Sequence, residues 1–164
     1  MKLISTSGPA HSSALRTGLI AGAAASLVST AVLLWAGRRK AASYVAPTNA
    51  TSHWFWREEA FFAYVPTWRH TAIGYAIHHG TATFWAVLYA KLYGNRPEAR
   101  SMPAALKGAA IASAMACAVD YGLTPKRFTP GFEHHLSKPW MALVYAGFAL
   151  GLAGGCLAAT RGRG

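Results

Sequence analysis

Acidic side chains are scarce in this chain. Five Asp and Glu stand against 16 Lys and Arg and seven His, for a formal net charge of +11. Charged residues of both signs make up only 13% of the 164 residues, about half the ~25% of a soluble domain. Hydrophobic residues make up 53%. A chain of this length cannot hide so much apolar surface in a core surrounded by water. Lipid is the expected solvent for much of it.

Cysteine is scarce as well. Cys117 and Cys156 are the only two. They fall near the C-terminal ends of successive antiparallel apolar stretches, hence near opposite membrane faces, which argues against an intrachain disulfide between them. Several chemical motifs are missing: HExxH, CxxC, a repeated ExxH pair, a Gly-rich phosphate loop and G-x-S-x-G. Without a phosphate loop, a primary transporter or ATPase is disfavoured.

Four apolar stretches are present instead, at about 16–37, 71–94, 104–123 and 139–160. Each is close to the ~20 residues that cross a hydrocarbon core. The third is Ala-rich and carries Lys107 and Asp120; Lys107 is near enough to its end to snorkel. The first exceeds the ~7–15 apolar residues of a signal peptide, and Arg38-Arg39-Lys40 follows it directly, so it reads as a retained span. The expected fold is all-α: a single integral membrane four-helix bundle, with a short amphipathic helix lying on the membrane surface at 52–65, between the first two spans.

Four spans put both termini and the second connection on one side, here side A, and the first and third connections on side B. The positive-inside rule gives no orientation. Side A carries Lys2, Arg16, Lys91, Arg96, Arg100, Lys107, Arg161 and Arg163. Side B carries Arg38, Arg39, Lys40, Arg57, Arg69, Lys126, Arg127 and Lys138. Cytoplasmic termini in a bacterial inner membrane are expected from the habits of even-span proteins alone. The basic residues cluster at helix ends and in loops, where anionic lipid headgroups account for them and nucleic acid is not required. Asn49-Ala50-Thr51 matches a glycosylation sequon, which carries no meaning in a bacterial protein.

Histidines and acids are less evenly shared. His53, Glu58, Glu59, His70, His78, His79, Asp120, Glu133, His134 and His135 belong to side B, and only His11 and Glu98 to side A. Longer side B loops explain part of this, but not the three residues inside spans. Rows of small residues four apart mark the packing faces: Gly18 and Gly22; Gly74, His78, Ala82, Ala86 and Ala90; Gly108, Ala112, Ala116 and Asp120; Gly147, Gly151 and Gly155. His78 and Asp120 both lie on such rows, while His79 is turned ~100° away. At ~1.5 Å per residue, His78 lies ~10 Å and Asp120 ~5 Å below the side B face, so a His–Asp bond between helices is within reach. As an interhelical lock it is worth ~0.6 kcal/mol, at most ~2. The sharper reading is a proton-relay, metal or cofactor site. The intramembrane serines read as ordinary packing residues.

The first side B loop holds Trp54, Phe55, Trp56, Phe61, Phe62, Tyr64 and Trp68. If helical, Trp54, Phe55, Glu58, Phe61, Phe62 and Val65 share one face, suited to the interface. Glu58 and Glu59 are expected to be solvated or paired with Arg57. The third loop, stiffened by Pro125, Pro130, Gly131 and Pro139, offers Glu133, His134 and His135 as ligands and Lys126 and Arg127 for an anion or a lipid phosphate. Imidazole and carboxylate together suit zinc or iron, making His78, His79, Glu133, His134 and His135 the candidate metal ligands. "HH" and "EHH" resemble fragments of the histidine boxes of membrane desaturases and hydroxylases, but the remaining boxes are missing. Haem held by two membrane histidines needs a second copy of the chain. No cofactor is required by the sequence.

The leading expectation is a non-enzymatic protein of the bilayer that packs with itself or with a membrane protein partner. A proton- or metal-linked carrier, channel or redox protein is the alternative. An interfacial lipid-handling enzyme is a third.

Overall fold

The computed structural model describes residues 9–161, with side chains from residue 13 onward; Lys2, Arg163 and the side chain of His11 lie outside the described residues. Six α-helices follow one another: α1 (Pro9–Lys40), α2 (Ala46–Ala50), α3 (His53–Trp56), α4 (Ile73–Tyr89), α5 (Met102–Gly122) and α6 (Lys138–Arg161). The described residues contain no strand. Three of the helices are long and apolar enough to cross a membrane: Ser13–Lys40, Met102–Gly122 and Lys138–Arg161. Their Ala- and Leu-rich sequences favour helix, and α5 is started by the Ser101 side chain, which accepts from the Ala104 N–H, with Pro103 in the first turn. As an α-helix α4 spans 17 residues, but a π turn extends it at each end, Trp68–Ala72 and Ala90–Gly94. Its helical path is continuous from 68 to 94.

The glycine rows on α1 and α6 lie against neighbouring helices. A Cβ on Gly18 would collide with Val87 of α4, and one on Gly22 would lie 2.6 Å from the Thr83 Cα. On another flank of α1, a Cβ on Gly151 would lie 2.6 Å from the Ala25 Cα, and one on Gly155 2.7 Å from the Ala21 Cα. Gly147 faces Val32 and Ser29. Rising numbers on α1 meet falling numbers on both neighbours, so α1 is a central post with α4 and α6 antiparallel to it.

Helix α5 leans on α6 through Ala105, Ala109, Ser113 and Ala116, and Ser113 donates to the Tyr145 carbonyl at 2.7 Å. The expected row is displaced. Gly108, Ala112 and Asp120 are only half-buried and face the cleft between α5 and α4, where the Tyr93 and Tyr89 rings cover Gly108. Those tyrosines are the main bridge across the cleft at its side A end; their hydroxyls donate to the carbonyls of Ala105 (3.2 Å, Tyr89) and Ala104 (3.3 Å, Tyr93). Outward positions such as Leu19, Leu27, Phe84, Ile111, Met115 and Leu150 are exposed and apolar. Cys156 is buried and donates its thiol to the Gly94 carbonyl at 3.2 Å.

The first side B loop departs from the continuous interfacial helix expected at 52–65. Segment α3 stops at Arg57, whose φ of 51° breaks the helix, and a 3-10 turn (Arg57–Phe62) follows. The aromatic face is divided: Phe55, Phe62 and Val65 are exposed, whereas Trp54 donates from its indole to the Thr129 carbonyl and Phe61 stacks on His134. Beneath it lies α2, all five of whose residues are buried. Asn49 organises this layer. Its amide nitrogen donates to the carbonyls of Ala63 (2.7 Å) and Val65 (3.0 Å), and its Oδ1 accepts from the Thr71 hydroxyl at 2.7 Å. Glu59 pairs with Arg69 at 2.9 Å rather than with Arg57, because the chain folds back at Arg57 and brings the start of the next helix alongside. The third loop closes over α2 at Gly131, where φ is 90° and a Cβ would lie 2.6 Å from the Ala50 carbonyl oxygen.

Candidate functional site

His78 and His79 both reach across to α1. His78 Nε2 lies 2.8 Å from the Ser29 hydroxyl and His79 Nδ1 lies 3.0 Å from the Ser26 hydroxyl. Ser29 also approaches the Ala25 carbonyl at 2.7 Å. With the hydroxyl proton on that carbonyl, Ser29 accepts from His78 Nε2–H, and Nδ1 is left as an acceptor. The two serines are therefore more than packing residues. Ser26 and Ser29 continue the Gly18–Gly22 row by one turn each, a signal visible in the sequence and passed over there.

Asp120 takes a different partner from the one expected. Its Oδ2 accepts from the Tyr145 hydroxyl of α6 at 2.6 Å, and Tyr145 does not figure in the sequence reading. No direct His78–Asp120 bond forms, because α1 and α6 each offer a hydroxyl to the residue nearest them. The two side chains nevertheless line one cavity of about 60 Å³, enough for a few water molecules. Helix α4 contributes Ile77, His78, Thr81 and Trp85; α5 contributes Ala116 and Asp120; α6 contributes Val144, Tyr145 and Phe148; α1 contributes Ser29. Trp54, Phe128, Pro130 and Phe132 from the two side B loops roof it. The roof is tied together by the Trp54–Phe128 edge contact, with ring centroids 5.5 Å apart, and by Arg127, which donates to the Trp54 carbonyl at 2.9 Å.

The charged residues of the third loop stay out of the cavity. Glu133 accepts from the hydroxyls of Thr129 (2.7 Å) and Tyr121 (3.2 Å). Lys126 is exposed, and His134 lies flat on Phe61 with ring centroids 3.7 Å apart. Among the described residues, no three of His, Cys, Asp and Glu come together as a metal ligand set. His78 and His79 turn to α1 serines, while Glu133, His134 and His135 belong to separate contacts of the roof. The loop ligands Glu133, His134 and His135 and the helix residues His78 and His79 do not line one common cavity.

His135 is half-buried beside Tyr64, and its Nε2 is buried without a hydrogen-bond partner. Burial, helped by the neighbouring His134, holds its pKa below the ordinary 6.5, against a backbone hydrogen bond with Phe61. Folding thus favours neutral His135. Its contribution to stability is complete above 6.5 and is lost as pH falls through that value towards the lower folded pKa. The melting temperature in detergent is expected to drop on acidification below 6.5. Part of that drop should be missing from His135→Gln; an identical pH profile in the variant would assign the loss to other groups.

The fold and site define an all-helical protein with three helices suited to a membrane and a mixed polar and aromatic cavity near one end. Comparison with protein-family models, with curated proteins and with solved structures finds no match.

Proposed function

We infer that the chain is a four-span integral membrane protein with a proton-linked function centred on His78, Asp120 and Tyr145. The observation that carries this reading is that His78 of α4 and Asp120 of α5 line one cavity while each spends an atom on a bond to a different helix. Ionisable groups inside spans are costly, and facing a shared wettable space is how they take up and pass protons. A few waters would connect Ser29, His78, Asp120 and Tyr145 in one hydrogen-bonded chain. The four-span arrangement is supported by α4 itself. It lies along α1 from Gly18 to Ser29, the middle of a helix long enough to span, and so shares its depth. The same proposal sets the protein in a bacterial inner membrane with both termini cytoplasmic. The metal-linked form of the idea lacks a ligand set among the described residues.

A second reading is favoured by the bonds themselves. His78–Ser29, His79–Ser26 and Tyr145–Asp120 each join two helices and serve equally as locks in a structural or interaction protein. Infrared difference spectra between acidic and neutral pH, recorded in nanodiscs, separate the two. For the proton-linked reading, a protonated-carboxyl band is expected in the parent, missing in Asp120→Asn and displaced in His78→Gln and Tyr145→Phe. Spectra unchanged in all three variants, with only modest losses of thermal stability, would make the residues locks and leave the interaction reading standing.

A further inference from the structure

We propose that the cleft between α4 and α5, on the side A half of the molecule, is a binding site for one anionic phospholipid. The cleft has a volume of about 380 Å³. Its walls are Leu88 and Leu92 from α4 and Ile111 and Met115 from α5, all apolar; Trp85 separates it from the side B cavity and also lines that cavity. The two helices meet here mainly through the Tyr89 and Tyr93 rings, so the groove is open along its outer edge. Leu92, Ile111 and Met115 are each more than half exposed. This is the shape of a channel for an acyl chain: long, apolar and entered sideways from the bilayer.

Charge selects the headgroup. Lys107 lines the same cleft and sits five residues after Met102, where α5 begins on side A. The ion pairs among the described residues are those of Glu59 with Arg69 and His70, on the opposite side, so Lys107 has no carboxylate partner there. An ammonium about 8 Å along a spanning helix, at ~1.5 Å per residue, needs an anion or must snorkel. The nearby connection adds Lys91, Arg96 and Arg100 against the single acid Glu98. A phosphate on Lys107 with its acyl chain between Leu92 and Ile111 meets both requirements, and a zwitterionic lipid would bring an unwanted positive charge into a basic surface. The proposal rests on α4 lying in lipid beside α5, but not on proton-linked chemistry at His78.

Native mass spectrometry tests it. Protein extracted from membranes in mild detergent is offered phosphatidylglycerol or phosphatidylcholine at equal concentration. One phosphatidylglycerol per chain is expected to be retained preferentially. Lys107→Gln should weaken that retention roughly fivefold, the effect of one lysine at a membrane surface. Ala112→Trp, which fills the cleft, should abolish retention of both lipids. Equal retention of the two lipids with no change in Lys107→Gln means ordinary surrounding lipid and overturns the proposal. So does a dimer that Ala112→Trp converts to a monomer, since a second copy would then occupy the cleft. If Ala112→Trp does not fold, the Lys107→Gln comparison decides alone. A cysteine placed at the exposed Phe84 reports separately on α4: labelling by a water-soluble, membrane-impermeant reagent would show that the four-span arrangement has failed, rather than the lipid site.

Discussion

Leucine in place of Gly151 is expected to separate α6 from α1 and to lower stability by roughly 3 kcal/mol or more. A mere Cβ at this position already lies 2.6 Å from both the Ala25 Cα and the Ala24 carbonyl oxygen. Both are backbone atoms of a helix and cannot swing aside as a side chain would. The helices must move apart, and dispersion contacts along the whole seam are lost with the distance. Without a hydrophobic driving force between helices in lipid, close packing of this sort carries most of the association. Gly151→Ala should show the same effect at roughly 2 kcal/mol. Gly154 is the control, being exposed with nothing within 4 Å of an added Cβ. Gly154→Ala should stay within about 0.5 kcal/mol of the parent. Unfolding by denaturing detergent, followed by circular dichroism, measures all three; a Gly151→Leu midpoint matching Gly154→Ala would refute the close α1–α6 contact.

Asn49→Ala is the second large effect. It leaves the Ala63 and Val65 carbonyls without their donor and the Thr71 hydroxyl without its acceptor, in a layer whose helix α2 is entirely buried. Each buried group stripped of its partner costs ~1–3 kcal/mol, and water will reach some of them as the layer loosens, so a net loss of roughly 3 kcal/mol is expected. Asn49→Asp should fall between, because it still accepts from Thr71 but donates to neither carbonyl. Hydrogen exchange gives the spatial signature: faster exchange over 46–72, with the α1–α6 seam protected as before. Uniform acceleration across the chain would mean that Asn49 supports the whole fold and not one layer. The same burial bears on the sequon, since the side-chain nitrogen that a glycan would need is committed to two carbonyls.

The long helices were legible because their signals are local. Stretches expected at 16–37, 104–123 and 139–160 correspond to Pro9–Lys40, Met102–Gly122 and Lys138–Arg161. Apolar length, a proline in the first turn and a glycine four-residue row all act within a few residues. The end of the second stretch at Gly94 was equally local. Partners were not legible, because they depend on the order of helices around the bundle. With α1 between α4 and α6, a serine on α1 is nearer to His78 than Asp120 is, and Tyr145 is the hydroxyl that Asp120 meets first. The first side B loop misled for a related reason. Aromatic count identifies an interfacial segment, but the inward turn of Trp54 depends on Thr129, seventy-five positions along the chain. Asn49 gave no sign of its importance, as an asparagine in a loop ordinarily marks a turn.

The central position of α1 has a consequence for how the chain is made. Its glycine and alanine face is shared between α4 and α6, and α6 leaves the ribosome well after α4. Until then the first helix has only α4 as company, and the flank at Ala21 and Ala25 lacks its partner. The side B roof waits as well, since it joins Trp54 of α3 to the loop before α6. The α1–α6 seam therefore forms only after α6 has been made, and a chain truncated before Lys138 would hold helices with no finished interior.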